Sequence, residues 1–405
     1  MSPSRRAAAR SGGAAGFFIS PLGIVFTTVL IDLIGFGIVL PILPLWAEDF
    51  GANAVVIGVI TASYAVMQVL FAPLLGRISD RHGRRPVILL SLVGSIVAFL
   101  MVGFAQSLLV IFLARVLQGI AGASYGAAQA YVADVTGPKD RAHGMGLIGA
   151  AFGLGFLLGP AIGAGFATID VRAPFFAAAA LAAVNLVLAY RRLPESLRPG
   201  AQATVRPGLA ALRLALTGRR LAPLMWLTFV ANVAFIGMET TFALFGGHRF
   251  GYGMVAMALL FTYVGALAVV SQGLLVRRLV PRLGEQRVLL IGLVVTAIGF
   301  LLMAPANHLW LLLLGLAPLA LGSGLVFATT TALVSLSAAD HEQGAILGVT
   351  VSVAAVARIV GPLIGGALFD HVDAAAPLVV GGVLFALCAA AAPRLLAPNP
   401  LVSPS

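Results

Sequence analysis

The chain has 405 residues, 60% of them hydrophobic and only 10% charged, with a formal net charge of +11 and a single cysteine, Cys388. Soluble domains run at about 45–50% apolar and about 25% charged residues, so a water-soluble fold is excluded and lipid is the solvent. One cysteine rules out an intrachain disulfide and any two-cysteine metal motif, leaving Cys388 as a small apolar packing residue.

Only helices and closed barrels satisfy every backbone group in lipid. The apolar runs here are long and continuous rather than alternating, so they read as helices, and the abundant glycine suits close helix contact. Residues 1–17, rich in Ser, Arg, Ala and Gly, read as a cytoplasmic N-terminal tail. The run that follows is too long for a signal peptide and lacks a small-residue cleavage site. Arg5–Arg6 could suggest twin-arginine export, but the number of later spans argues against it.

Spans 1 to 6 are expected near 18–45, 54–75, 87–104, 108–131, 144–167 and 173–190, forming an N-terminal six-helix half over 18–190. An Arg- and Pro-rich cytoplasmic linker at 191–219 follows. Spans 7 to 12 are expected near 220–246, 252–276, 288–304, 308–337, 343–369 and 375–396, a C-terminal half over 220–396, and 397–405 form a C-terminal tail. All basic residues except Arg115, Arg172, Arg249 and Arg358 fall on alternate connections, on the N-terminal tail or at the same-side ends of spans 7 and 12. By the positive-inside rule, both termini are cytoplasmic. That bias also accounts for the net charge, so no nucleic-acid partner is needed, and some attraction to anionic lipid heads is expected.

Between spans 2 and 3 lies a densely charged loop, Gly76 to Pro86, in which Gly76 and Gly83 bracket Asp80 and Arg81, and Arg84 follows Gly83. Positions 276–288 echo it, and GPLIG at 361–365 echoes GPAIG at 159–163, so the two halves repeat about 200 residues apart. In span 5, Gly155, Gly159 and Gly163 recur every four residues on one helix face, and Pro160 invites a kink. That face serves either as plain small-residue packing or as a bendable surface on which a neighbour rocks.

Ionisable groups in the bilayer centre cost at least about 2.5–3.5 kcal/mol, so those retained mark chemistry. Asp32, Arg115, Glu239 and Arg358 lie within spans. At about 1.5 Å per residue, Asp32 stands about 21 Å up its helix from residue 18 and Arg115 about 25 Å above residue 132 at the far end of span 4, depths at which neighbouring helices could bring them together. Desolvation opposes the charge on such an aspartate and a guanidinium favours it. A motion that changes their contact would move a proton. The alternative is a fixed ion pair pinning two helices. Glu239 and Arg358 could pair, line a vestibule or contact substrate. Gln68, Gln118, Gln129, Asn232 and Gln272 serve either as interhelical glue or as substrate contacts.

The Gly76–Pro86 segment resembles the signature loop of the major facilitator superfamily. DLIGFGIVLPILP (32–44), LARVLQGIAGA (113–123) and GLGFLLGPAIG (153–163) resemble motifs of its drug/proton antiporters. YAVMQVLFAPLLGRISDRHGRRPVILLSLVG (64–94) and LPESLRPG after span 6 are similar to bacterial tetracycline efflux proteins. The resemblance covers nearly the whole chain and is strongest before residue 200. It implies an all-α fold of twelve transmembrane helices, alternating access, and export of a small amphiphilic compound in exchange for protons. The site it implies has Asp32 and Arg115 as the proton-coupling pair. It places Gly76, Asp80, Arg81, Gly83 and Arg84 in a cytoplasmic gate, with Asp80 near the start of span 11. Gly155, Gly159, Pro160 and Gly163 form its antiporter motif. Gln68, Asn232, Glu239, Gln272 and Arg358 are the candidate substrate cavity.

The second half departs from the tetracycline group, which carries an acid in span 9 where this chain has Thr296, and tends to carry a histidine in span 8 where apolar residues surround Ala268. Gln272 does match. A proton-coupled importer and a metabolite exporter of the same fold remain as alternatives; a non-transporting receptor has no use for Asp32 and Arg115. Lys139 is the only lysine and follows proline, so a Walker loop is excluded, and no HExxH occurs. The expectation is a transporter rather than an enzyme. It would use the proton gradient with no cofactor and no metal, and work as a monomer in a bacterial inner membrane.

Overall fold

A computed structural model of the chain describes residues 20–136, 141–197, 209–218, 221–338 and 343–395. The expected tails at 1–17 and 397–405, residues 198–208 and 219 of the linker, and Lys139 lie outside the described residues. Every regular element among the described residues is a helix. Twelve are long and apolar enough to cross a membrane. Spans 1 to 6 are Pro21–Val39, Ala54–His82, Arg84–Gly103, Leu108–Val135, Gly146–Ala167 and Ala173–Arg192. Spans 7 to 12 are Leu221–Phe250, Met254–Leu283, Glu285–Met303, Leu309–Ser337, Gln343–His371 and Ala376–Pro393.

Local chemistry sets the boundaries. Span 1 starts at Pro21 because Ser20 Oγ accepts the Gly23 amide (3.1 Å) and Pro21 needs no donor in the first turn. It stops at Val39 rather than near 45. Pro41 cannot continue the backbone ladder, and a separate short helix, Leu43–Glu48, follows. The largest departure from the sequence reading is the charged segment after span 2. It is helix through His82, not loop, because nothing in Arg77–His82 breaks a helix. The turn is the single residue Gly83, at φ +104°, and span 3 begins at Arg84. Its echo behaves identically: span 8 runs through Leu283, Gly284 turns at φ +78°, and span 9 begins at Glu285. Only glycine enters that region of backbone space without strain.

By contact the chain divides into two compact units. One holds residues 1–43, 66–203 and 254–262; the other holds 44–65, 204–253 and 263–405. In the first, span 1 packs on spans 5 and 6, and span 3 on spans 4 and 6. In the second, span 7 packs on spans 11 and 12, and span 9 on spans 10 and 12. Each pairing is the other advanced by six spans, so the weak sequence repeat is a repeat of packing.

The glycines explain why. A Cβ on Gly159 would lie 2.7 Å from the Gly37 backbone and 2.8 Å from Ile34 O; one on Gly155 would lie 2.6 Å from Leu33 Cβ. A Cβ on Gly163 would meet Ile38 O at 3.1 Å. Spans 1 and 5 thus touch backbone to backbone along this face. In the second unit, a Cβ on Gly365 would sit 2.4 Å from Gly237 O, and one on Gly361 3.0 Å from Val233 O. Gly37 with GPAIG and Gly237 with GPLIG are one device used twice.

Candidate functional site

At the turn between spans 2 and 3, Arg84 is almost fully buried. Its guanidinium pairs with Asp80 one turn earlier and donates to Ser79 Oγ (2.7 Å) and to Asp134 at the end of span 4 (3.3 Å). Asp134 also accepts from Ser196 Oγ at 3.0 Å. Glu195, just beyond span 6, caps the start of span 3: its carboxylate accepts the Arg84 amide at 2.8 Å and the Arg85 amide at 3.1 Å. It also takes the amides of Ser196 and Leu197, each at 3.0 Å. Carboxylates at helix N-termini meet unsatisfied N–H groups and the positive end of the dipole. Gly83 is doubly constrained, because a Cβ there would also strike Glu195 Oε2 at 2.3 Å. Gly76, by contrast, is helical with open space around it, and Arg81 faces solvent.

Partial burial pushes the Glu195 carboxyl up, but the amides of Leu197, Arg84, Arg85 and Ser196 outweigh it and hold the group below its ordinary value of 4.5. A depressed value in the fold means the cap stabilises fully above about pH 4.5 and is lost as pH falls through the lower folded value. Glu195→Gln is therefore expected to lower thermal stability at neutral pH, with the gap to wild type closing below pH 4.5. Unfolding scans across that range test it, and a gap independent of pH counts against the cap.

Deeper in the first unit, Asp32 is half-buried on span 1, beside the Leu33–Ile34 contact with the span 5 glycines. Arg115 is buried on span 4 and donates to Gln118 Oε1 at 2.5 Å. Asp32 takes part in none of the ion pairs Arg84–Asp80, Arg84–Asp134 and His248–Glu48. Gln68 on span 2 donates to Gly122 O at the break in span 4 (3.3 Å), which is interhelical glue.

In the second unit, Glu239 lies within electrostatic range of Arg358, without forming one of those ion pairs, and Arg358 Nε is buried without a hydrogen-bond partner. Asn232 alone of the proposed cavity residues lines a cavity of about 260 Å³ between spans 7, 10 and 11. Gln272 is exposed on a π-helical turn, Ser271–Leu275, which interrupts span 8. That turn is held by Ser271 Oγ donating to Leu321 O at 2.6 Å. Single π turns concentrate at functional sites because they rotate the following side chains. Thr296 is sealed: fully buried, bonded to Gly292 O (2.7 Å), with Gly322 packed against it.

The second unit also contains the start of span 2. Asp370, at the end of span 11, accepts the Ala54 amide (3.1 Å) and the Val55 amide (2.8 Å) with its two oxygens. Gly366 lies against Ala54 so closely that a Cβ would be 2.3 Å from its carbonyl. His248 meets Glu48 at 2.5 Å beside this contact.

Asp134, Glu195 and Asp370 escape a reading of the sequence by motif and span. Glu195 sits inside LPESLRPG, singled out by resemblance but not by chemistry. Asp134 and Asp370 look like ordinary end-of-helix charges.

A model of the Major Facilitator Superfamily matches residues 25–287 and 273–404. The chain is 32% identical to the class B tetracycline resistance protein of Escherichia coli over 86% of this chain and 88% of that protein. It is 30% identical to multidrug resistance protein 2 of Bacillus subtilis (strain 168), over 86% and 88% respectively. Among solved structures, the human organic anion transporter MFSD10 (TETRAN) superposes with a TM-score of 0.70 at 27% identity. That match covers 98% of this chain and all of that one.

Proposed function

This chain belongs to the major facilitator superfamily, and we propose that it exports a small amphiphilic compound in exchange for protons by alternating access. The curated relatives named for tetracycline and multidrug resistance support that reading across most of the chain. Asp32 is the observation that carries it. The side chain is a carboxylate held among apolar spans, next to a face where two helices meet backbone to backbone. Smooth glycine contacts permit sliding without rotamer clashes, and sliding changes the polarity around the carboxylate. A buried acid whose surroundings change between two states takes up a proton in one and gives it up in the other.

The remaining roles are assigned on the same reading. Arg115, tied to Gln118, tunes Asp32 in the state where the helices bring it near. Gly76, Asp80, Arg81, Gly83 and Arg84 form a cytoplasmic gate. Asp80 shares Arg84 with Asp134 and releases it when the gate closes. Glu239 and Arg358 polarise the substrate path in the second unit. The protein works as a monomer with both termini cytoplasmic, in a bacterial inner membrane, with the proton gradient as its energy source and no bound cofactor. Thr296, sealed where tetracycline proteins carry an acid, favours a compound other than tetracycline itself.

The test is compound-induced proton efflux from acidified inverted membrane vesicles, read by dequenching of a pH dye. The panel contains tetracycline and several lipophilic cations. Dequenching by at least one compound is expected. Silence across the panel, in vesicles shown to contain the protein, favours an importer or a metabolite carrier.

A further inference from the structure

The cavity between spans 7, 10 and 11 is lined by Thr228, Asn232, Thr330, Thr331 and Thr350 among apolar residues that include Phe327, and none of its lining residues is charged. Its polar groups are uniform in one respect. Thr228 Oγ1 donates to Leu224 O (2.7 Å) and Thr330 Oγ1 to Val326 O (2.7 Å). Thr331 Oγ1 donates to Phe327 O (2.9 Å) and Thr350 Oγ1 to Ile346 O (3.0 Å). A carbonyl only accepts, so each hydroxyl proton is committed to the helix backbone, and each threonine offers the cavity only lone pairs. Asn232 Nδ2 is likewise engaged, donating to Thr228 O at 2.7 Å, which fixes its amide orientation and leaves Oδ1 as an acceptor. The spare Asn232 N–H is the one side-chain donor left. The apolar wall carries an aromatic corner, Phe327 edge-on to Phe235 at 5.5 Å.

We propose that this cavity binds the flat apolar part of the exported compound through ligand N–H or O–H groups that donate to the threonine and Asn232 oxygens. The site thereby selects donor-bearing ligands over their alkylated counterparts. The inference rests on the export reading for the ligand's origin, but its physics is that of binding alone. A donor-bearing ring satisfies acceptors that otherwise lose water when the cavity fills. A ring without donors leaves them unpaired in an apolar surround, and sites of that kind discriminate strongly.

Two acridine dyes isolate this property. Proflavine carries two exocyclic NH2 groups; acridine orange has the same charge and ring system with both groups dimethylated. Fluorescence titration of purified protein in detergent is expected to show proflavine binding roughly tenfold tighter, although acridine orange has more apolar surface. Thr330→Val, which removes an acceptor at constant shape, is expected to weaken proflavine roughly three- to tenfold and acridine orange by less than about twofold. Thr331→Val, at an exposed position on the same wall, provides the same comparison with little demand on folding. Equal affinity for the dyes, tighter acridine orange binding, equal loss of both in the variants, or no binding of either overturns the proposal. The export reading fails separately: dye discrimination without compound-induced proton flux removes transport and leaves the cavity's preference standing.

Discussion

Asp32→Asn is expected to reduce compound-dependent proton flux in inverted vesicles to the level of vesicles lacking the protein, while the variant still inserts and purifies like wild type. The substitution preserves shape and hydrogen-bonding capacity but removes the only thing a coupling carboxylate must do, which is bind and release a proton. Stability should not fall. An ionisable group at membrane depth costs at least about 2.5–3.5 kcal/mol, and Asp32 makes no ion pair among the described residues that the change would break. Compound binding should persist, since Asp32 is not among the residues that line the threonine cavity. Flux at the wild-type level in Asp32→Asn would move the coupling role elsewhere. Glu239, with Arg358 in range, is the next candidate.

The second large effect concerns the glycine face. Gly159→Ala places a methyl group 2.7 Å from the Gly37 backbone and 2.8 Å from Ile34 O, separations that real Cβ atoms do not reach. Backbone cannot rotate away as a side chain can, so spans 1 and 5 must move apart. Overpacking of this kind costs about 1–3 kcal/mol. We expect a lower thermal midpoint together with loss of most transport, because the displaced contact is the one beside Asp32. Gly365→Ala should behave alike in the second unit, where the methyl would meet Gly237 O at 2.4 Å. Gly126→Ala is the control, with nothing within 4 Å of the added atom. It is expected to be neutral or slightly stabilising, as alanine is the better helix former. If Gly159→Ala matched Gly126→Ala in midpoint and flux, the close approach of spans 1 and 5 would have no bearing on either folding or cycling.

Much of this was written along the chain. Apolar runs of span length, with no water to satisfy backbone groups, dictate helices wherever they occur, and twelve were countable from the sequence. The four-residue recurrence of Gly155, Gly159 and Gly163 announced a close-contact face, because helical period alone puts such residues in line. Isolated ionisable residues in apolar runs announced themselves by their cost. The charged segment after span 2 was legible as a motif but not as a shape. Polarity suggested a loop, whereas helix continues until a residue stops it, and that residue is Gly83.

What only the tertiary structure decided are the partners, since a partner is a matter of distance between segments far apart in sequence. Arg115 was matched with Asp32 by depth, and the fold gives it Gln118, three residues along its own helix. Nothing near Arg84 in sequence points to Asp134 or Glu195, each brought to it by the packing of spans 3, 4 and 6. Asp370 reaches the amides of Ala54 and Val55 across more than 300 positions. The threonines of the second unit are unremarkable singly. They become an acceptor-lined cavity because three helices converge and each backbone claims its own hydroxyl proton. Composition and period are properties of a segment and survive in the sequence; hydrogen-bond partnership and cavity chemistry are properties of convergence and do not.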